Sequence, residues 1–164
     1  MKIFITGNSG CGKSTMARKL AKKYNLSLCP LDDIVWDNGK KRTHEEREKI
    51  LLEFFENNEN WILEGMSHSP WMHRVYVDAD YIFLLKISDR LARWRIRKRS
   101  IKKKLGLEKG HKEGKGFVKN LYKIRQNYND EVIPEIEERM ENEYKEKSFV
   151  VNNIKQVINI IYRK

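Results

Sequence analysis

Eight consecutive residues, Gly7-Asn8-Ser9-Gly10-Cys11-Gly12-Lys13-Ser14, carry the spacing G-x-x-x-x-G-K-S/T. A run of this type folds its backbone N–H groups around an anion, and the glycines remove Cβ atoms that would stand in the way. Lys13 would reach the β- and γ-phosphates of a nucleoside triphosphate, and the Ser14 hydroxyl would ligate Mg²⁺. Thr15 completes the candidate nucleotide-binding stretch, at the start of a helix whose positive end points at the same anion. An ordinary glycine turn is the competing explanation. Yet the four required positions coincide by chance in under about one sequence in a hundred of this length.

Such a loop needs a strand before it and a helix after it. Lys2-Ile3-Phe4-Ile5-Thr6 is a short β-rich apolar run suited to a buried parallel strand. Met16, Ala17, Leu20, Ala21 and Tyr24 then recur at helical spacing from Ser14 onward. Further strands are expected at Leu26–Cys29, Trp61–Leu63, Asp80–Ile87 and Phe149–Val151. Helices are expected from Thr43, where Thr43 and Glu46 form a capping-box pair, to Glu56, and from Asp89, read as a cap, to about Lys104. A long helix should start at Phe117, with Leu121, Ile124, Tyr128 and Val132 on one face, and be kinked or ended by Pro134. The acidic stretch Glu135–Glu146 is read as helical or partly frayed, and Ile154–Tyr162 as a closing helix. Strands and helices alternate throughout, so the expected fold class is α/β with a parallel sheet. The stretch from Gly106 to Gly116 is the most loop-like of the chain.

With 164 residues, a single domain spanning 1–164 is expected. Cys11 and Cys29 show no metal-ligand spacing and no disulfide framework. No run approaches transmembrane length, no signal-peptide pattern precedes the first strand, and a cytoplasmic location is expected. The formal charge of +11 suits both a polyphosphate-handling enzyme and a nucleic-acid binder.

Ligands of parallel sheets bind at the carboxyl ends of strands. The second strand leads there to Leu31-Asp32-Asp33 and the third to Glu64-Gly65-Met66-Ser67-His68. Both bring carboxylates to where a water-mediated Mg²⁺ contact or a general base is needed. Capping a helix or turn is the plain alternative for Asp32 and Glu64, and the better reading of Asp33.

The loop at 7–14, Leu31-Asp32-x-Ile34-x-Trp36, Trp61-Ile62-Leu63-Glu64-Gly65 and the arginine-rich stretch after the fourth strand together resemble the DNA topology modulation (FlaR-related) proteins. These fall within the adenylate kinase-like branch of P-loop kinases. The resemblance implies a three-layer P-loop NTPase fold: a five-stranded parallel sheet, helices on both faces, and a lid after strand four at about residues 100–117. It implies that Lys13 and Ser14 serve the phosphates and Mg²⁺, and that Asp32 orients or deprotonates an acceptor hydroxyl. Glu64 takes the Walker B-like place beside the metal, and Arg95 and Arg99 hold the triphosphate. Their i, i+4 spacing independently puts both guanidinium groups on one face of one helix. One departure stands out. Adenylate kinases follow the strand-three acid with Gly-Phe-Pro-Arg, whereas here Gly65-Met66-Ser67-His68 has no arginine until Arg74, which argues against a nucleoside monophosphate acceptor. His68 could substitute as a donor, against the plain reading of a solvated loop histidine.

Nine of the fifteen residues from Arg90 to Lys104 are Lys or Arg, more than a nucleotide would occupy, which keeps nucleic acid open as a second partner. Trp94, at i+3 from Leu91, is expected in the core. Arg125 is a further candidate for the transferred phosphate. The function expected is an ATP- and Mg²⁺-dependent phosphotransferase acting on a small acceptor, with a nucleoside or nucleotide as one option. The alternative is a nucleic-acid-binding P-loop NTPase or regulator.

Overall fold

The computed structural model describes residues 1–66, 69–107 and 116–163. Five parallel strands, Lys2–Thr6 (β1), Ser27–Pro30 (β2), Trp61–Glu64 (β3), Tyr81–Leu85 (β4) and Ser148–Val151 (β5), form one sheet in the order β2-β3-β1-β4-β5. β1 is central, so the loop that leaves its carboxyl end has strand ends on both sides. Ile5 lies opposite Glu64 on one side and Phe83 on the other, and Glu64 is also paired with Pro30 of β2.

Side chains alternate across the sheet and feed two cores. On one face Phe4, Leu63 and Leu84 pack with helices Leu31–Val35 (α2), His44–Asn57 (α3), His73–Asp78 (α4) and Ile133–Asn142 (α7) through Leu31, Leu51, Tyr76 and Ile136. On the other, Ile3, Ile5, Ile62 and Phe83 pack with Lys13–Tyr24 (α1) and Ile154–Arg163 (α8) through Met16, Leu20 and Val157. Each such buried side chain contributes about 1.5–3 kcal/mol. That burial on both faces fixes the strand ends that carry the site. No described helix is long and apolar enough to cross a membrane.

The expected elements are present, several with altered ends. β4 is Tyr81–Leu85, shorter than the expected 80–87. α3 starts with the anticipated capping box: the Glu46 N–H donates to Thr43 Oγ1 at 3.2 Å and the Thr43 N–H donates to Glu46 Oε2 at 2.7 Å. Helix Asp89–Lys104 (α5) is capped by Ser88, not Asp89; the Leu91 N–H donates to Ser88 Oγ at 3.4 Å. Asp89 is thereby left to pair with arginines. α5 buries Ala92, Ile96 and Ser100, and this i, i+4 stripe of small and medium residues turns Trp94 outward. Trp94 is 55% exposed, so its expected place in the core is overturned.

Helix Phe117–Asn127 (α6) is likewise rotated from expectation. Arg125 is buried while Ile124 is exposed, because Arg125 finds polar partners inside. Pro134 does not end this helix. A π-helical turn at Tyr128–Val132 precedes it, and the chain continues helically through α7. The widened turn accommodates a residue that cannot donate a backbone hydrogen bond. Two short elements were not anticipated. A hairpin pairs Trp36–Asp37 with Lys40–Lys41 across Asn38 (φ 46°) and Gly39 (φ 84°), and a 3₁₀ turn spans Pro70–Met72. Ser67, His68 and residues 108–115 of the expected lid lie outside the described residues.

Candidate functional site

α1 begins without a side-chain cap; Gly12 precedes it in a left-handed conformation (φ 103°). The first helical bond runs from the Met16 N–H to the Gly12 carbonyl at 3.0 Å, so the N–H groups of Lys13, Ser14 and Thr15 lie ahead of the ladder. Uncapped donors at the positive end of a twelve-residue helix form an anion site. A Cβ on Gly12 would also lie 3.0 Å from Arg95 Nη1, so the arginine tip packs directly on the glycine. Arg95 Nη1 donates to the Cys11 carbonyl at 2.6 Å, so the guanidinium is held against the loop backbone. Arg99 is exposed one turn further along α5. Lys13 Nζ lies 3.2 Å from the Asn8 carbonyl and 3.9 Å from Cys11 Sγ.

The loop is also held from the opposite side. Asn8 is buried, and its Nδ2 donates to the Arg125 carbonyl and to Asn129 Oδ1, each at 2.7 Å; its Oδ1 accepts the Ser9 N–H at 2.6 Å. Its side chain faces α6, so only its backbone remains for an anion. Arg125 Nη1 donates to the Ser9 carbonyl, and its Nε donates to Asp89 Oδ1 at 2.8 Å. Asp89 also accepts from Arg93 Nε, and the two arginines, Arg125 foremost, hold its carboxyl below the usual range. Arg125, expected at the transferred phosphate, is instead a bracket between the loop and the base of α5. Sequence reasoning missed Asp89 and Asn129 in this bracket. A cavity of about 230 Å³ adjoins it on the far side of the loop, with Asn8, Cys11, Asp89, Arg125, Asn129 and Glu137 in its wall.

The acceptor-side residues come from β2 and β3. Asp32 is exposed in the first turn of α2, two residues past the Pro30 that pairs with Glu64. Glu64 is 7% exposed, at the end of β3, and forms no ion pair among the described residues. Burial, then the carboxylates of Asp33 and Glu64, push the Cys29 thiol up to about 11, which marks those acids as its neighbours. Beyond Gly65, Met66 Sδ lies 3.7 Å from Ser9 Oγ, so the segment leaving β3 touches the loop. The Ser14 hydroxyl at the start of α1 and the unpaired Glu64 carboxylate are hard oxygen donors that fit Mg²⁺. The described residues hold no cluster of three or more protein ligands.

The family described as AAA domain matches residues 3–116, which covers the loop, Asp32, Glu64, Arg95 and Arg99. A shikimate kinase of Rhodopirellula baltica is 34% identical over 68 residues, or 42% of this chain and 36% of that protein. The match thus spans little more than a third of that relative's length. The strand–loop–helix unit, the β2-β3-β1-β4-β5 sheet and these matches agree. The chain belongs to the AAA-domain family and is a P-loop nucleotide-binding domain.

Proposed function

We propose that the chain is a phosphotransferase that moves the γ-phosphoryl group of ATP, with Mg²⁺, to a hydroxyl of a small acceptor. The observation that carries this reading is Arg95 lying across the loop carbonyl of Cys11 while the uncapped start of α1 opens beside it. Phosphoryl transfer asks for positioning and charge stabilisation more than covalent participation. Lys13 and the loop amides supply positive charge at the β- and γ-phosphates, and Arg95, with Arg99 behind it, adds charge from α5. Ser14 and Glu64 would hold Mg²⁺, which would supply charge neutralisation at the triphosphate. Asp32 stands at the β2 side of the loop, where it orients the acceptor hydroxyl and takes up its proton. The shikimate kinase likeness supports a small-molecule acceptor.

The test is transfer from γ-labelled ATP to a panel of nucleosides, nucleotides, short oligonucleotides and small hydroxylated metabolites, with Lys13→Ala alongside. A labelled acceptor that disappears in the variant is the expected result; turnover unchanged in Lys13→Ala refutes the reading.

A second reading, a nucleic-acid-responsive NTPase, is favoured by one observation. Trp94 is exposed on a helix of nine basic residues, with Lys98 Nζ 4.8 Å from its ring centre. The resemblance to DNA topology modulation proteins points the same way. Such a protein binds duplex DNA with a steep salt dependence. Absence of binding at low salt removes it.

A further inference from the structure

The two faces of α5 differ in kind. Ala92, Ile96 and Ser100 form its buried stripe, which packs on the phosphate loop: a Cβ at Gly10 would lie 2.8 Å from the Ala92 carbonyl oxygen and 2.9 Å from Ile96 Cγ1. On the opposite face Leu91, Trp94, Lys98, Ile101 and Leu105 follow at steps of three, four, three and four residues, which makes one continuous row along a helix. Its four apolar members are 38%, 55%, 57% and 66% exposed in that order. Single exposed apolar residues are ordinary, but four aligned on one helix face call for a partner. Exposed cations border the row, Arg90 and Arg97 along one edge and Lys102 along the other. Within it, Lys98 Nζ lies 4.8 Å from the Trp94 ring centre. The lysine stem extends the apolar row and its ammonium suits a polar layer above.

A partner for this face must offer negative charge and an apolar layer together. Nucleic acid offers charge and flat bases; the bases stack on Trp94, but Leu91, Ile101 and Leu105 have no ring to receive them. A second copy meeting the same face would set cations against cations. The acidic helix of a second copy, α7, exposes Glu135, Glu138 and Glu141 with no large apolar residue exposed among them. An anionic bilayer offers both layers in the required order. Its headgroups carry the charge, hydrocarbon lies beneath, and tryptophan prefers the boundary between them.

We propose that α5 docks on an anionic lipid surface, with Trp94, Ile101 and Leu105 inserted below the headgroups and Arg90, Arg97, Lys98 and Lys102 among them. The helix lies in the plane of the surface, and no described helix is long and apolar enough to cross it. The phosphate loop packs on the other face of α5, so docking leaves it open to nucleotide. The proposal goes beyond the phosphotransferase reading and stands whether or not the chain transfers phosphate.

The test is co-sedimentation of the chain with sucrose-loaded vesicles, one set of pure phosphatidylcholine and one containing about one-third phosphatidylserine. At low salt, partition to the anionic set should exceed partition to the neutral set about tenfold or more, and it should fall as salt rises. Ile101→Ser combined with Leu105→Ser keeps every cation and should lower the anionic partition about tenfold or more. Lys98→Gln combined with Lys102→Gln keeps the apolar row and should weaken binding roughly tenfold. Depth is read separately in a Trp36→Phe background, where Trp94 is the exposed tryptophan, Trp61 and Trp71 being buried. Anionic lipid brominated in its acyl chains should quench Trp94 emission. No sedimentation with anionic vesicles at low salt overturns the proposal. Equal partition of wild type and the paired serine variant overturns it too, because charge alone would then hold the chain, and so does unquenched Trp94. DNA binding without vesicle binding overturns it in favour of the nucleic-acid reading. A melting temperature lowered by the paired serines would show the row packed within the chain, which also overturns it.

Discussion

Arg125→Met tests whether the phosphate loop is held in shape from behind. Methionine preserves most of the length and bulk of the buried side chain, so the change removes two hydrogen bonds and a charge without opening a large cavity. The bond from Nε to Asp89 counts for little. The Asp89 side chain is 42% exposed and keeps Arg93, so it rehydrates when Arg125 is gone, and under about 1 kcal/mol is lost. The bond to the Ser9 carbonyl matters more. It is charge-assisted, joins residues 116 positions apart and serves a carbonyl that points into protein, which puts its loss at about 1.5–3 kcal/mol. Together these give about 2–4 kcal/mol. For a domain of this size that lowers the melting temperature by roughly 4–16 °C. Circular dichroism melts with and without MgADP measure it. The nucleotide-induced rise should shrink as well, because a loop free to change shape binds less tightly and linkage transmits that loss to stability. A melting temperature within about 1 °C of wild type, with an undiminished nucleotide shift, would refute the reasoning.

Three further outcomes are expected. Asp89 has its carboxyl lowered by Arg125 and Arg93, so its stabilising contribution is complete above the unfolded value near about 3.9 and fades as pH falls through the lower folded value; Asp89→Asn should flatten that acid limb in pH-dependent melts. Gly65→Ala places a Cβ 2.5 Å from the Cβ of Leu31, backbone-fixed on both sides, and should cost about 1–3 kcal/mol in denaturant titration while displacing α2 from Glu64. Thr43→Ala removes the capping box of α3 and should cost about 1 kcal/mol by the same titration, with no effect on nucleotide affinity.

What the sequence showed depended on how locally each feature is encoded. The phosphate loop is a run of adjacent residues, and β1 and α1 flank it directly, so Lys13, Ser14 and the glycines could be placed without any tertiary information. Thr43 and Glu46, three residues apart, were legible for the same reason. Arg95 was singled out through helical spacing plus resemblance as a triphosphate ligand, and the contact it makes is with the Cys11 carbonyl. Trp94 misleads because two apolar residues three apart suggest a buried stripe, while the face of α5 that packs is set by how closely Ala92 and Ile96 approach the loop. Arg125 and Arg47 are the harder cases. Each sits in a charged stretch that reads as solvated surface, and nothing local distinguishes a buried arginine from an exposed one. The hairpin is different: its turn signal, Asn38-Gly39, is present in the sequence, but two-residue strands on either side are too short to show an alternating pattern.

The long-range contacts that escaped the sequence share a purpose that their geometry makes plain. α5 and α6 are joined through residues 105–116, and each touches the phosphate loop. Arg95 of α5 holds the Cys11 carbonyl, and Arg125 of α6 holds the Ser9 carbonyl. The two helices are also tied to each other: Asp89 pairs with Arg125, Tyr122 OH donates to the Arg93 carbonyl at 3.1 Å, and the Arg93 guanidinium lies 4.9 Å from the Tyr122 ring centre. The loop's two carbonyls are therefore gripped by the two ends of one excursion of the chain. A loop whose N–H groups must converge on an anion needs its carbonyls turned outward and kept there, and cationic side chains bound to those carbonyls do this. The glycines permit the loop conformation, and the arginines select it. The basic excess of α5 thus divides into two groups. Arg95 and Arg93 shape the loop and its support, whereas Lys98 stands over the exposed Trp94 ring on the outward face. Neutralising Lys98 should leave nucleotide affinity unchanged, while neutralising Arg95 should weaken it; equal losses from both would mean that α5 acts as a diffuse field rather than through these contacts.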